Sequence, residues 1–253
     1  MILSKRFNNK IAIVTGGADG IGKGVAYRLG QEGATLALFD KNQTLLNSTV
    51  EEFKRSGINA KAYITDVSNP SQVSEAVLQV EKEWGKIDIL VHAAGIVGPT
   101  STKITEFSTS DFNKVYEVNL KGTFLITKYV LQVMQKTGKG RLLLISSIAG
   151  KEGNPGMVGY SATKAGVIGL VKGVAKEFAT TNITVNGLAP AVIKTPMNEN
   201  TSSEQLEYMI AKIPMQRLGT VEEVAAISCY IVSDENSFST GFIYDISGGR
   251  ATY

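Results

Sequence analysis

The chain has 253 residues, 43% of them hydrophobic, enough to bury a sizeable core within one α/β domain. Its 26 basic and 23 acidic side chains leave a net charge of +3 with no basic run, which excludes a surface built for nucleic acid or for a membrane. A lone cysteine, Cys229, excludes an internal disulfide, and the absence of a signal-peptide layout or a long apolar stretch makes the cytoplasm the expected compartment.

The first apolar run, residues 11–14, reads as a strand. Directly after it, Thr15-Gly16-Gly17-Ala18-Asp19-Gly20-Ile21-Gly22 leads into a helical pattern at residues 25–31. In such a turn glycines let the backbone bend tightly and approach a pyrophosphate, while free N–H groups at the helix start turn positive potential toward it. A second strand, residues 35–39, ends at Asp40, the acid expected some 20 residues on from the turn. A carboxylate there accepts hydrogen bonds from the adenosine ribose hydroxyls and repels a 2′-phosphate, so NAD is favoured over NADP. The third strand, residues 60–65, is followed by Asp66-Val67, placed to bracket an adenine by one hydrogen bond and one apolar contact.

Residues 87–91, 142–145, 183–186 and 242–245 complete seven strands, separated by helical patterns. Alternation of this kind predicts βαβ units, hence a doubly wound Rossmann domain over residues 1–253 with a seven-stranded parallel sheet covered on both faces. The unbroken apolarity of Leu142-Leu143-Leu144-Ile145 fits a central strand buried on both sides. The longest segment without a clear pattern, about 189–214, suits a substrate loop that closes as a mobile lid.

The chemistry concentrates after the fifth strand. Tyr160 and Lys164 stand four residues apart on a helical pattern, and Ser147 lies thirteen residues before Tyr160. Positions i and i+4 share one helix face, so the ammonium of Lys164 can sit beside the phenol of Tyr160. A phenol titrates near 10 and is a poor base at neutral pH. A positive charge about 5 Å away at an effective dielectric of about 20 contributes on the order of 3 kcal/mol, or roughly two pKa units. Taken alone the pair is a common helical coincidence, and its surroundings decide its meaning.

With the glycine turn, Asp40, Asp66, Ser147 and the Tyr160/Lys164 pair in this order, the chain resembles the short-chain dehydrogenase/reductase family over essentially its full length. The resemblance implies that Thr15, Gly16, Gly20, Ile21 and Gly22 hold the dinucleotide phosphates and that Asn119, Ser147, Tyr160 and Lys164 form a catalytic tetrad. Tyr160 would exchange a proton with the alcohol or ketone oxygen, and Ser147 would hydrogen-bond that oxygen. Lys164 would lower the phenol pKa and bind the nicotinamide ribose, while Asn119 would hold a water leading to solvent. Pro190, Ile193 and Thr195 would contact the nicotinamide. The family also implies a homotetramer, with the helices of Tyr160 and Asn119 at a subunit contact.

Two departures stand out. After the fourth strand the family commonly reads Asn-Ala-Ala-Gly, where this chain has His92-Ala93-Ala94-Gly95. A lone histidine makes a poor metal site, so no metal is expected, and His92 reads as a structural substitute that donates a hydrogen bond. After the sixth strand, Pro190-Ala191 replaces the frequent Pro-Gly, which asks Ala191 for an ordinary negative φ.

The substrate is a small-molecule alcohol or carbonyl compound. The chain shares the texture of 3-oxoacyl-carrier-protein reductases, yet those typically prefer NADPH and dock an acidic carrier through arginines, where this chain has Asp40, Gly138 and Thr181. The loop from Ile148 to Met157 and the ending from Asp245 to Tyr253 look instead like NAD-dependent members acting on sugars or deoxy-sugar acids, with Lys151, Glu152 and Asn154 available to a polyhydroxylated or carboxylated substrate. A non-catalytic dinucleotide sensor is the competing class, and the intact tetrad argues against it. An isomerase or dehydratase on this fold usually carries a longer substrate domain, for which this chain has no room.

Overall fold

The computed structural model describes residues 5–195 and 203–251. In chain order the elements are β1 (Ile11–Thr15), α1 (Gly20–Gln31), β2 (Thr35–Asp40), α2 (Gln43–Arg55), β3 (Ala60–Ile64), α3 (Pro70–Trp84) and β4 (Ile89–His92). There follow α4 (Thr109–Tyr116), a π-helical turn (Glu117–Lys121), α5 (Gly122–Thr137), β5 (Lys139–Ile145), α6 (Ile148–Glu152) and α7 (Val158–Glu177). Last come β6 (Asn182–Pro190), α8 (Ser203–Ala211), α9 (Val221–Ile231) and β7 (Ile243–Ile246).

All seven expected strands form, in one parallel sheet of order β3-β2-β1-β4-β5-β6-β7. The period of two in each strand explains how both faces are buried. Ala12, Val14, Leu36, Leu38, Leu143 and Ile145 meet α1, α2 and α9 through Val25, Leu46, Phe53 and Val224. Their neighbours Ile13, Ala37, Phe39, Leu142 and Leu144 face α3, α5 and α7 through Val77, Ile126 and Val167. Cys229 is buried on α9, and burial pushes its thiol up to about 12, which keeps it an inert hydrophobe.

The chain passes from β1 to β2 and β3 on one side, then returns to place β4 on the other side of β1. At such a reversal the connections leave in opposite directions, and a crevice opens at the carboxyl ends of the two strands. The register pairs Thr15 with His92, so the turns after β1 and β4 emerge side by side. No helix among the described residues is long and apolar enough to cross a membrane.

Three segments differ most from the sequence expectation. β5 begins at Lys139 because the buried Arg141 interrupts its apolar pattern, and β6 runs to Pro190 through Gly187, Ala189 and Pro190, residues that read as a turn in the sequence. Of the loop expected over 189–214, residues 189 and 190 close β6, residues 203–211 form α8, and residues 196–202 lie outside the described residues. Leu143 is fully buried in the central strand, so Leu143→Ala is expected to cost about 2–5 kcal/mol, read as a lower urea midpoint at unchanged slope.

Candidate active site

The crevice is built first by backbone. Asp19 caps α1 by accepting from the Gly20 N–H at 2.7 Å, so the helix starts at the mouth of the cleft with its first N–H groups directed into it. Two glycines set the close approach. A Cβ on Gly22 would lie 2.1 Å from the Gly16 carbonyl oxygen, and one on Gly16, whose φ is +65°, would lie 3.0 Å from the Ala94 nitrogen. A side chain at Gly22 would collide with backbone and one at Gly16 would be strained by its positive φ, so backbone alone walls this part of the cleft.

Gly16, Gly20, Ile21 and Gly22 line this cleft from one side, Ala93, Ala94 and Gly95 from the other, with Thr195 beside them. Asp40, at the end of β2, and Asp66 with Val67, after β3, line its far end. Asp40 accepts from the Ala18 and Asn42 N–H groups through its two oxygens, which fixes its orientation. The Ser68 hydroxyl and N–H both donate to one oxygen of Asp66, holding that carboxyl below its usual range and leaving the second oxygen for a ligand. Thr15 and His92 stand behind the lining. Phe39, Lys41, Thr65, Ile96 and Val118 also line the cleft, and each directly neighbours a residue the sequence had singled out.

The second half of the site is made by β5, α6 and α7. Ser147 ends the segment after β5, caps α6 by accepting from the Ala149 N–H, and opposes the effect of burial on the Tyr160 phenol. Tyr160 and Lys164 share one face of α7, with the Lys164 ammonium 5.7 Å from the phenol ring centre. Lys164 is buried, donates to the Ile145 carbonyl at 2.9 Å, and is pushed by burial down to about 8. Gly95 joins the two halves, because a Cβ there would stand 3.5 Å from Lys164 Nζ and 3.2 Å from Asn119 Oδ1.

Three of the expected roles meet a more specific environment. Burial raises the Tyr160 pKa and Ser147 opposes it, so in the protein alone the phenol is held high. Asn119 sits in the π-helical turn and its amide is already occupied, accepting from the Ile96 N–H and donating to the Ile96 carbonyl, both at 2.8 Å. Its backbone carbonyl accepts from Thr123 Oγ1 at 2.5 Å, which leaves one lone pair on each of its two oxygens. His92 is buried behind the lining with its Nδ1 2.7 Å from Thr15 Oγ1, a hydrogen bond that fits the structural role expected of it. The π turn itself is a feature that spacing in the sequence could not reveal.

The loop residues read as free to meet a substrate are held elsewhere. Lys151 pairs with Asp245 at 3.2 Å, and Arg250 pairs with Glu152 at 2.9 Å and donates to Asn154. Ile193 is buried and bridges to Gly219, Pro190 pairs with Ile246, and Ala191 adopts no positive φ.

A family model described as Enoyl-(Acyl carrier protein) reductase matches residues 16–251. The chain belongs to the short-chain dehydrogenase/reductase family. Among its short-chain dehydrogenase/reductase relatives, 2-dehydro-3-deoxy-L-rhamnonate dehydrogenase (NAD(+)) of Sphingomonas sp. is 42% identical over 100% of this chain and 99% of its own length. The 3-oxoacyl-[acyl-carrier-protein] reductase FabG of Thermotoga maritima is 39% identical over 96% of this chain and 98% of its own. A crystal structure of an actinorhodin polyketide ketoreductase variant with NADPH superposes with a TM-score of 0.91 at 31% identity, covering 99% of this chain and 100% of the other.

The Gly22 geometry gives a direct check on the cleft. Gly22→Ala is expected to weaken NAD binding at least about tenfold, because the turn must open to admit the methyl group, while the far-ultraviolet circular dichroism of the sheet and helices stays unchanged. Calorimetric titration measures the affinity.

Proposed function

We propose that this chain, acting as one dinucleotide-binding unit over residues 1–253, interconverts a secondary alcohol and a ketone by hydride transfer with NAD, on a small sugar-derived acid or polyol. The observation that carries the reading is the pair Ser147 and Tyr160 beside the buried ammonium of Lys164, 5.7 Å from the phenol ring centre, next to a cleft walled by glycine backbone. A non-catalytic sensor needs the cleft but has no use for that pair.

In this reading Gly16, Gly20 and Gly22 hold the pyrophosphate, Asp40 the adenosine ribose, and Asp66 with Val67 the adenine. The fixed carboxylate of Asp40 sits where a 2′-phosphate would have to come, which favours NAD. When bound, NAD supplies the carbon that takes hydride from the alcohol or returns it to the ketone. Tyr160 accepts the hydroxyl proton during oxidation and gives it back during reduction. Ser147 donates to the same oxygen and fixes its position between the two hydroxyl groups. Lys164 places its charge at Gly95, where the nicotinamide ribose would lie, and Asn119 secures the wall of the cleft through Ile96.

The sugar-acid substrate is supported by the Sphingomonas relative and its NAD(+) chemistry. The carrier-protein reading is supported by the Thermotoga relative, but Gly138 ends α5 in the left-handed conformation and Thr181 is an exposed loop residue, so neither position offers an arginine to an acidic carrier. We also propose a cytoplasmic homotetramer that joins faces of α7 and α5. Gly169 and Gly173 leave open space on the exposed side of α7, and Phe124 on α5 is 51% exposed.

Steady-state assays test the substrate directly. A panel of deoxy-sugar acids, polyols and acetoacetyl thioesters should show turnover of a sugar-derived compound with NAD(H) favoured about tenfold or more over NADP(H). Preferred turnover of the thioester with NADPH would overturn the sugar reading.

The proton path has its own signature. Tyr160→Phe should lower kcat by roughly 10²–10⁴-fold with NAD binding retained. Ser147→Ala removes the hydrogen bond that pulls the phenol pKa down against burial, so the phenolate becomes harder to form. The rising limb of the oxidation rate against pH should therefore move to higher pH in that variant, and an unmoved limb would separate Ser147 from proton transfer.

A further inference from the structure

His92 is the only histidine of the chain, lies at the end of β4, and is 1% exposed. The proposed reaction gives it no step, yet its bonding is unusually well determined. Its Nδ1 is 2.7 Å from Thr15 Oγ1, and the same oxygen is 3.2 Å from the backbone nitrogens of both Ala93 and Ala94. Those two N–H groups can only donate, the first of them shared with the Thr15 carbonyl at 3.3 Å. A hydroxyl oxygen has two lone pairs and one proton. With both lone pairs facing N–H donors, the proton of Thr15 is directed to His92 Nδ1.

The tautomer follows. Nδ1 accepts, so the ring proton sits on Nε2, which has no hydrogen-bond partner among the described residues. A second proton, on Nδ1, would set donor against donor and release the Thr15 hydroxyl. Burial and the ammonium of Lys164, the charged group whose field reaches the ring, both oppose that protonation and push the imidazole down to about 3.

We propose that His92 is a positioning residue for the dinucleotide cleft: as a neutral ring protonated on Nε2, it accepts the Thr15 hydroxyl and so holds the Ala93–Ala94 turn against Gly16. That turn is the wall a Cβ on Gly16 would strike at 3.0 Å, so a small rotation of Thr15 changes the width of the cleft. The tautomer stands on the protein's own geometry, whereas the effect on ligand affinity rests on the reading of the cleft as the NAD site.

With one histidine in the chain, the ¹⁵N-histidine-labelled full-length protein gives a single imidazole by NMR. The expected spectrum is that of the neutral Nε2–H form from about pH 5.5 to about pH 8.5. The Nδ1–H form, or a midpoint near the ordinary value of about 6.5, overturns the proposal. In calorimetric NAD titrations His92→Leu, which removes the acceptor, should bind about three- to tenfold more weakly. His92→Asn, whose amide oxygen can accept, should recover most of that loss, and Thr15→Val should add little on top of His92→Leu because both break one bond. Unchanged affinity in His92→Leu overturns the positioning role, and if that variant does not fold the wild-type NMR decides. The wrong tautomer with normal NAD binding sinks the role of His92 alone, whereas the Nε2–H form in a wild type that binds no NAD sinks the cofactor reading.

Discussion

The parallel pairing of β1 with β4 is the constraint on which the rest of the site depends. It is the place where the chain changes direction across the sheet, and its register sets Thr15 opposite His92. Everything beyond those two residues is placed by that match. The glycine turn leaves β1 beside the Ala93–Gly95 turn leaving β4, and the two approach closely enough that Gly16 tolerates no Cβ. A slip of one residue would exchange the two faces of the strand, sending Thr15 and His92 to opposite cores and closing the crevice. The apolar alternation of Ala12 and Val14 against Ile11 and Ile13 fixes the register, so the large hydrophobic core and the small polar cluster enforce one another.

Burial then governs the electrostatics. Lys164, Tyr160 and His92 all lie in or beside the same dry region, and desolvation is the first cause of each of their shifts. It disfavours charge on every one of them, which leaves a neutral imidazole, a phenol held above its ordinary value and an ammonium that gives up its proton more readily than a free lysine. This is a site poised against charge rather than one that stores it. The local hydrogen bond from Ser147 is therefore the counterweight available in the protein itself, and a cationic nicotinamide would strengthen the same direction. A Coulomb argument from helical spacing alone overlooks this, because it charges the lysine without desolvating it.

The sequence carried the parts of the molecule whose physics is local. Strand and helix order were legible because the sheet needs period-two apolar runs, and the glycine turn because only glycine admits its backbone. Tyr160 and Lys164 were legible because a helix guarantees their shared face. The limits were equally physical. The start of β5 was hidden by the buried Arg141, whose Nη1 donates to the distant Asn182 carbonyl, and the end of β6 by Gly187 and Pro190, residues that usually punctuate a strand. The π turn around Asn119 and the engagement of its amide by Ile96 depend on tertiary packing, and so does the His92 hydrogen bond, which needs two backbone N–H groups and the imidazole to converge on one hydroxyl.

The same distinction separates reaction from substrate. The groups that would move hydride and proton are fixed by two neighbouring elements, α6 and α7, and by the β1–β4 crevice. The groups that border the substrate are fixed by the far end of the chain. Asp245 holds Lys151, Arg250 holds Glu152 and Asn154, and Met215 donates to the Gly248 carbonyl, so the segment after β7 ties the loop following Ser147 to the region beyond α8. Lys151 and Arg250 are almost fully buried in these contacts. Charges committed in this way act less as free hands for a substrate than as the frame that sets the loop's position. The position of the loop after Ser147 thus depends on how the carboxyl-terminal segment is fastened, while Tyr160 and Lys164 are held by α7 itself.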